Sequence, residues 1–428
     1  MLRSICVLCL LALAIPCSTA QDEDRQKIRA LREWGREGSQ AIQKIAPYLA
    51  DLSTEVRLEA VKALVSIGGL DSLAPLTKAL EDNDPEIQLR ATDGLVNFYF
   101  PGYLQSGGIS GSLRRAGNKV QAMFSDENTQ VIDPDIAVRI EIITGLGRLV
   151  SGGGSMTVRA NAARALGILR GRAALPDLIQ ALRSKDDRLM FEALIALQKI
   201  RDPEAGPRVV FLVRDLDPKI QKAAIEAAGL LGAKEAAADL KRVLETSRDK
   251  KIRRAALASL GQIRDASSKP LFLQSLGDRD DGMRASAAEG LARVGAAEDL
   301  PAVEKAFENE SKASARLSLA FAAVALGKTD MTEFAPLRYL VNNLNSKAWR
   351  GVALPFLSEL AYRQPVRAAL YTALDGAATK DEKTGLAQAL AASRGSDAVA
   401  HLERLAKDQD AEVATEALRA LRILKASL

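Results

Sequence analysis

The stretch Met156–Asp186, MTVRANAARALGILRGRAALPDLIQALRSKD, decides how the chain folds. Val158, Ala162, Ala165, Leu166 and Leu169 recur at helical spacing and mark one apolar face. Gly171 interrupts the pattern. A second helix opens with Pro176 near its start, where a missing N–H costs nothing, and carries Leu178, Ile179 and Leu182. Two such helices cannot bury both apolar faces alone, so neighbours of the same kind must stack on either side.

The chain supplies those neighbours. A bulky apolar residue followed by a polar or basic marker recurs at Arg57, Gln88, Arg139, Arg159, Met190, Gln221, Arg253, Arg284, and more loosely Arg316 and Arg350. From Arg159 to Arg316 the steps are 31, 31, 32, 31 and 32 residues. An acidic residue stands six positions before the marker at Asp51, Asp82, Asp133, Asp215, Asp278 and Glu310. A proline stands 14 positions before it at Pro176, Pro207, Pro270 and Pro336.

With three spacings in agreement, the chain resembles the HEAT-repeat family, especially its short phycobilisome-lyase type. The resemblance covers about Ala46 to the C-terminus; after Trp349 the acid is missing and the last two units look irregular. It implies an all-α fold, an α-solenoid or armadillo-like superhelix of helical hairpins of about 31 residues. It also implies a structural ladder in which turn acids and inner-helix arginines of successive repeats bond. Here that ladder would comprise Asp51, Arg57, Asp82, Asp133, Arg139, Asp215, Asp278, Arg284, Glu310 and Arg316. Ankyrin and tetratricopeptide repeats fit worse, because their His- and Trp-containing motifs are missing.

Composition agrees with stacked helices. Aromatics make up only 4% of the 428 residues, and the net charge of +5 is spread in mixed sign, with no continuous basic track for a nucleic acid. At the N-terminus Arg3 precedes an apolar run, Ile5–Ile15, too short to span a bilayer. Ser18-Thr19-Ala20 then fits a signal-peptidase site, so residues 1–20 read as a signal peptide cleaved after Ala20, for a periplasmic or secreted protein. An alternative lipid site at Cys17 is opposed by Pro16. All three cysteines lie in this segment, leaving an exported chain without a thiol. Residues 21–30 read as a flexible leader and 31–428 as the solenoid, with no later stretch apolar enough to cross a membrane.

One region breaks the period. Residues 98–134 form an insertion containing a Gly/Ser loop, Gly107–Ser112, a candidate helix, Leu113–Phe124, and a concentration of aromatics. Arg139 to Arg159 is only 20 residues, which reads as a truncated repeat without an outer helix, ending in Ser151–Ser155. Inner-helix offsets +2, +5 and +9 from the marker fall opposite the core-facing positions, the side that lines the concave surface in the family it resembles. That stripe includes Arg90, Asp93, Asn97; Glu141, Thr144, Arg148; Asn161, Arg164, Ile168; Glu192, Ile195, Lys199; and later Glu289, Arg293, Phe321 and Ala325. The expected binding edge joins Arg90, Asp93, Asn97, Arg148 and Arg164 to Tyr99, Tyr103, Arg114 and Arg115 of the insertion.

Chemistry is sparse. The single histidine, His401, and the thiol-free mature chain leave no zinc ligand set or Ser/His/Asp system. The His-Glu pairs of the iron-dependent HEAT-like hydroxylases are missing, so that activity does not carry over. The Gly327-Lys328-Thr329 phosphate-loop match follows a helix instead of a strand. The reading is therefore a non-catalytic exported scaffold or adaptor, without cofactor or metal, binding a protein or peptide on its concave face. The rival is a small-molecule-binding or lyase- or oxidoreductase-like enzyme with a pocket at residues 98–155.

Overall fold

A computed structural model of the protein describes residues 17–106 and 130–428. Among them there are α- and 3-10 helices and no strand. The contacts divide the chain into two compact units, Met1–Ala205 and Gly206–Leu428.

In the first unit a long helix, Cys17–Glu37, covers Thr54–Ile67. Residues 21–30, expected as a flexible leader, are helical, because Lys27 is tied to Asp51 (3.1 Å) and Glu23 (2.9 Å). Of the expected signal segment, residues 1–16 lie outside the described residues. The longer helices Thr54–Ile67, Pro85–Tyr99, Met156–Ile168 and Asp187–Ile200 pack each on the next and form what is here called the inner layer. Shorter helices, Leu73–Ala79 and Leu175–Ala181, lie behind them.

Ile140–Gly152 corrects the expected truncated repeat. It does not take a place in the inner layer, since Pro85–Tyr99 packs directly on Met156–Ile168. It packs beside the shorter helices instead, with Gly145 against Leu80 and Gly147 against Ala174 and Asp177. Ile142, Leu146 and Val150 are fully buried there. The segment is thus the outer helix of the repeat whose inner helix is Met156–Ile168, so this repeat is not truncated. Its Asp133 and Arg139 match the ladder spacing by coincidence: Arg139 precedes an outer helix, and its backbone N–H donates to Tyr99 Oη (3.4 Å).

In the second unit the inner helices are Pro218–Leu230, Lys250–Gln262, Asp281–Val294, Ala313–Ala325, Arg350–Leu360, Lys380–Ala391 and Ala411–Ser427, each packed on the next. The last two hairpins, expected to be irregular, are complete pairs: Gln364–Asp375 with Lys380–Ala391, and Ala398–Leu405 with Ala411–Ser427. No described helix is long and apolar enough to cross a membrane.

Three local devices repeat. Six of the marker side chains donate to a backbone carbonyl before their own helix: Arg57 to Asp51 O, Gln88 to Asp82 O, Arg159 to Val150 O, Gln221 to Val213 O, Arg253 to Leu244 O and Arg284 to Asp278 O. They thereby cap the carbonyls that a helix C-terminus leaves without partners. Four positions before the marker, Asp84, Asp186, Asp217, Asp249 and Asp280 cap the N-termini of inner helices with their carboxylates. Eleven positions after it the chain turns through the left-handed region at Gly68, Arg170, Arg201, Gly232, Arg264 and Gly327.

The acid half of the ladder is narrower than the spacing implies. Arg57 reaches Asp82 of the next repeat (2.7 and 3.2 Å), and Arg284 reaches Glu310 (2.6 and 2.9 Å). Asp215 and Asp278 accept backbone N–H groups of their own turns, and Arg316 lies over the Phe307 and Tyr339 rings. Where the third repeat has no acid, Gln88 accepts from Gly154 N (2.9 Å) and closes the same gap.

Inner helices approach closely through small residues. A Cβ built on Gly261 would lie 2.8 Å from Gly290 Cα, too near for any side chain. The alanine-rich, aromatic-poor composition follows from this spacing. Gly261→Val should force the helices Lys250–Gln262 and Asp281–Val294 apart and cost about 1–3 kcal/mol or more, read as a lower urea midpoint. An unchanged midpoint would refute the close approach.

Candidate functional site

The offsets expected to line an open surface are largely occupied. In each unit, offset +5 of some inner helices bonds offset +2 of the next. Asp93 accepts from Asn161 Nδ2 (3.1 Å), Arg164 grips Glu192 (3.2 and 2.7 Å), and Ser318 donates to Glu289 (3.0 Å). Arg32–Glu59 (2.9 Å) and Gln388–Glu416 (3.1 Å) continue the register at the two ends of the array. These rungs are mostly hidden: Asp93 is 1% exposed, Asn161 0% and Glu192 5%.

The expected binding residues therefore part company. Asp93 and Arg164 are rungs between helices and do not form a free face. Arg90 pairs with Glu86 (2.7 Å) on its own helix, and Asn97 Oδ1 accepts from Leu104 N (3.1 Å). Tyr103 is buried, and Tyr99 packs edge-on against Phe98. Arg148 lies in the outer layer, where it meets Glu81 (2.9 Å). Arg114 and Arg115 lie outside the described residues. The expected pocket beside the insertion becomes an open groove of about 690 Å³ on the outer layer, lined by Ala74, Lys78, Glu81, Arg139, Glu141 and Arg148 among others.

The more developed site is in the second unit, where inner helices end side by side. Arg264, Ala292, Arg293, Phe321, Ala325, Glu359, Leu360, Tyr362 and Arg363 line a cavity of about 440 Å³. Its centre is Arg293, which reaches past Ala325 to grip Glu359 with both carboxylate oxygens (3.0 and 2.8 Å). Arg293 also lies 5.3 Å over the Phe321 ring, which stacks on Phe356 at 4.5 Å and 8°. Burial pulls the Arg293 guanidinium down, yet the bonds to Glu359 outweigh it and hold it above its usual value. Burial pushes the neighbouring Glu289 carboxyl above the usual carboxylate range, although Arg293 and Ser318 pull it the other way. Arg363 donates to the Ala325 carbonyl. The Arg264 side chain makes no hydrogen bond or ion pair with the described residues, while its backbone N–H donates to the Gly261 carbonyl (3.2 Å). Tyr362 is about half exposed, with Arg394 5.7 Å from its ring.

A HEAT-repeat family model matches residues 12–96, 149–215, 206–267 and 243–323. The chain belongs to the HEAT-repeat family. Among solved structures of similar fold is the complex of CpcE and CpcF of phycocyanin lyase from Nostoc sp. PCC7120, 18% identical, with a TM-score of 0.36 over 63% of this chain and 92% of that one. An engineered protein is 21% identical over 90% of this chain and 98% of its own, with a TM-score of 0.33. A mutant of Kap121p is 12% identical over 89% of this chain and 45% of its own, with a TM-score of 0.37. No curated protein matches the sequence.

Within this HEAT array the described residues include no group of three or more His, Cys, Asp or Glu side chains placed to hold a metal ion. The inner stripe did single out Arg293, Phe321 and Ala325, but Arg264, Glu359, Tyr362 and Arg363 went unread. The signal for Arg264 was available, since an arginine stands where the repeat elsewhere uses Gly68, Gly232 and Gly327.

Glu289 gives the site a pH signature. Burial raises its folded value above the ordinary carboxylate value, so the fold favours the protonated form. Its contribution to stability is therefore fully present below the ordinary carboxylate value and is lost as pH rises through the raised folded value. Glu289→Gln should melt higher than wild type at pH 7 and converge with it in acid. A variant that melts lower at pH 7 would contradict this.

Proposed function

We propose that the protein is an exported, non-catalytic scaffold that holds a polypeptide partner at the inner-helix ends of its second unit. The observation that carries this reading is the lining of the cavity. Arginine, tyrosine and phenylalanine are the residues over-represented where proteins anchor partners, and here they surround an opening on a rigid helical frame. Elsewhere in the inner layer several polar groups are bonded across repeats, so they offer a partner fewer free donors and acceptors.

Ionisable groups favour a holding role over a reactive one. Arg293 is gripped by Glu359, and Glu289 is engaged by Ser318, which fixes charge in place without presenting a nucleophile. Mixed charge around the cavity suits a protein surface better than a phosphate backbone. Export rests on the leader, whose charged start, short apolar run and small residues match a cleaved signal.

Two measurements check the proposal. Mass spectrometry of the processed chain should find Gln21 at its N-terminus; an intact or lipid-bearing leader contradicts cleavage. A photo-crosslinking residue replacing Tyr362, in cells that naturally make the protein, should capture one polypeptide. The same residue at exposed Phe211 should not. Capture at neither position, or equally at both, would count against this site.

A further inference from the structure

Arg264 combines two features that ordinary capping does not explain. Its φ of 58° places a non-glycine residue in the left-handed region, which side chains disfavour. Glycine fills the equivalent position at Gly68, Gly232 and Gly327, and arginine fills it again at Arg170 and Arg201. Yet the Arg264 side chain returns no internal bond for that strain, because it meets no carboxylate among the described residues. It faces the cavity instead.

The surrounding charge leaves this guanidinium uncompensated. Glu359 is taken up by Arg293 through both oxygens, and Arg363 spends part of its guanidinium on the Ala325 carbonyl at a helix end. Three arginines thus face one carboxylate. The helix C-termini at this rim add partial negative charge, which Arg363 answers. Arg264 is the cation left over. Beside it stands the half-exposed Tyr362 ring, so a matching ligand brings apolar atoms together with its negative charge.

We propose that this cavity is a docking site for an acidic segment of a partner polypeptide, a Glu or Asp side chain pairing with Arg264 while its neighbours lie on Tyr362. The inference deepens the scaffold reading and rests on it. The carboxylate takes two parallel N–H···O bonds from the guanidinium, a geometry that lysine does not reproduce.

The test uses the processed chain and a fluorescein-labelled octaglutamate peptide, followed by polarisation at low ionic strength, with octaglutamine as the neutral comparison. Arg264→Gly removes the cation and relieves the strained backbone, so it should melt at or above wild type. Arg201→Gly makes the same change of charge and relieves an equivalent φ of 57°, but lies in the other unit. We expect saturable binding to wild type, little or none of octaglutamine, a loss of about tenfold in Arg264→Gly, and no loss in Arg201→Gly. Equal loss in both variants would mean diffuse attraction to a basic protein and overturn the site. Displacement by millimolar inorganic phosphate at constant ionic strength would reassign the cavity to a phosphate ion and overturn it too. No binding of octaglutamate by wild type overturns the acidic docking site, while crosslinking at position 362 would still decide the scaffold reading separately.

Discussion

The capped turn between the two helices of a repeat is the constraint on which the rest depends. A short outer helix ends with carbonyls that have no partner in the helix, and they sit against the next element, where water cannot fully serve them. The marker side chain answers from the first turn of the inner helix. Arg57, Gln88, Arg159, Gln221, Arg253 and Arg284 all donate there, although they differ in what else they touch. That bond ties the turn to the first turn of the inner helix. The inner helices come close enough for small residues such as Gly261 and Gly290 to meet.

Close approach then determines what the inner layer can do. At such spacing the +5 and +2 side chains of neighbouring helices fall within bonding distance, and the chain uses them as rungs. Asp93–Asn161 and Arg164–Glu192 are nearly dry, so an unmatched member would leave a buried polar group without a partner. In the second unit one polar reach skips a helix. Alanine at position 325 leaves room for Arg293 to reach Glu359, two inner helices away, and the cavity opens beside that reach.

Much of the fold was legible because period is a property of sequence. The 31- or 32-residue step, the turn acids and the helix-opening prolines all follow from local helix chemistry. What misled was the twenty-residue interval between Arg139 and Arg159. The apolar stripe of Ile140–Gly152 suits either layer, and only packing against Leu80 and Ala174 shows it to be the outer one. The candidate site was read less well for a related reason. Helical offsets say which way a side chain points relative to its own helix, but not whether the neighbouring helix stands close enough to claim it. Asp93 and Arg164 point where expected and are claimed; Arg264 lay outside the offsets considered and its side chain is left free of internal partners.

A double-mutant cycle on Arg164 and Glu192 tests the central claim, that the inner stripe is committed to holding repeats together. Urea unfolding of wild type, Arg164→Met, Glu192→Gln and the double variant gives the coupling directly. Rungs that join neighbouring helices predict a coupling of about 1–3 kcal/mol, with each single variant less stable than the pair removed together would suggest. Additive losses, with no coupling, would mean that the two side chains act independently and that the stripe is available to a partner after all.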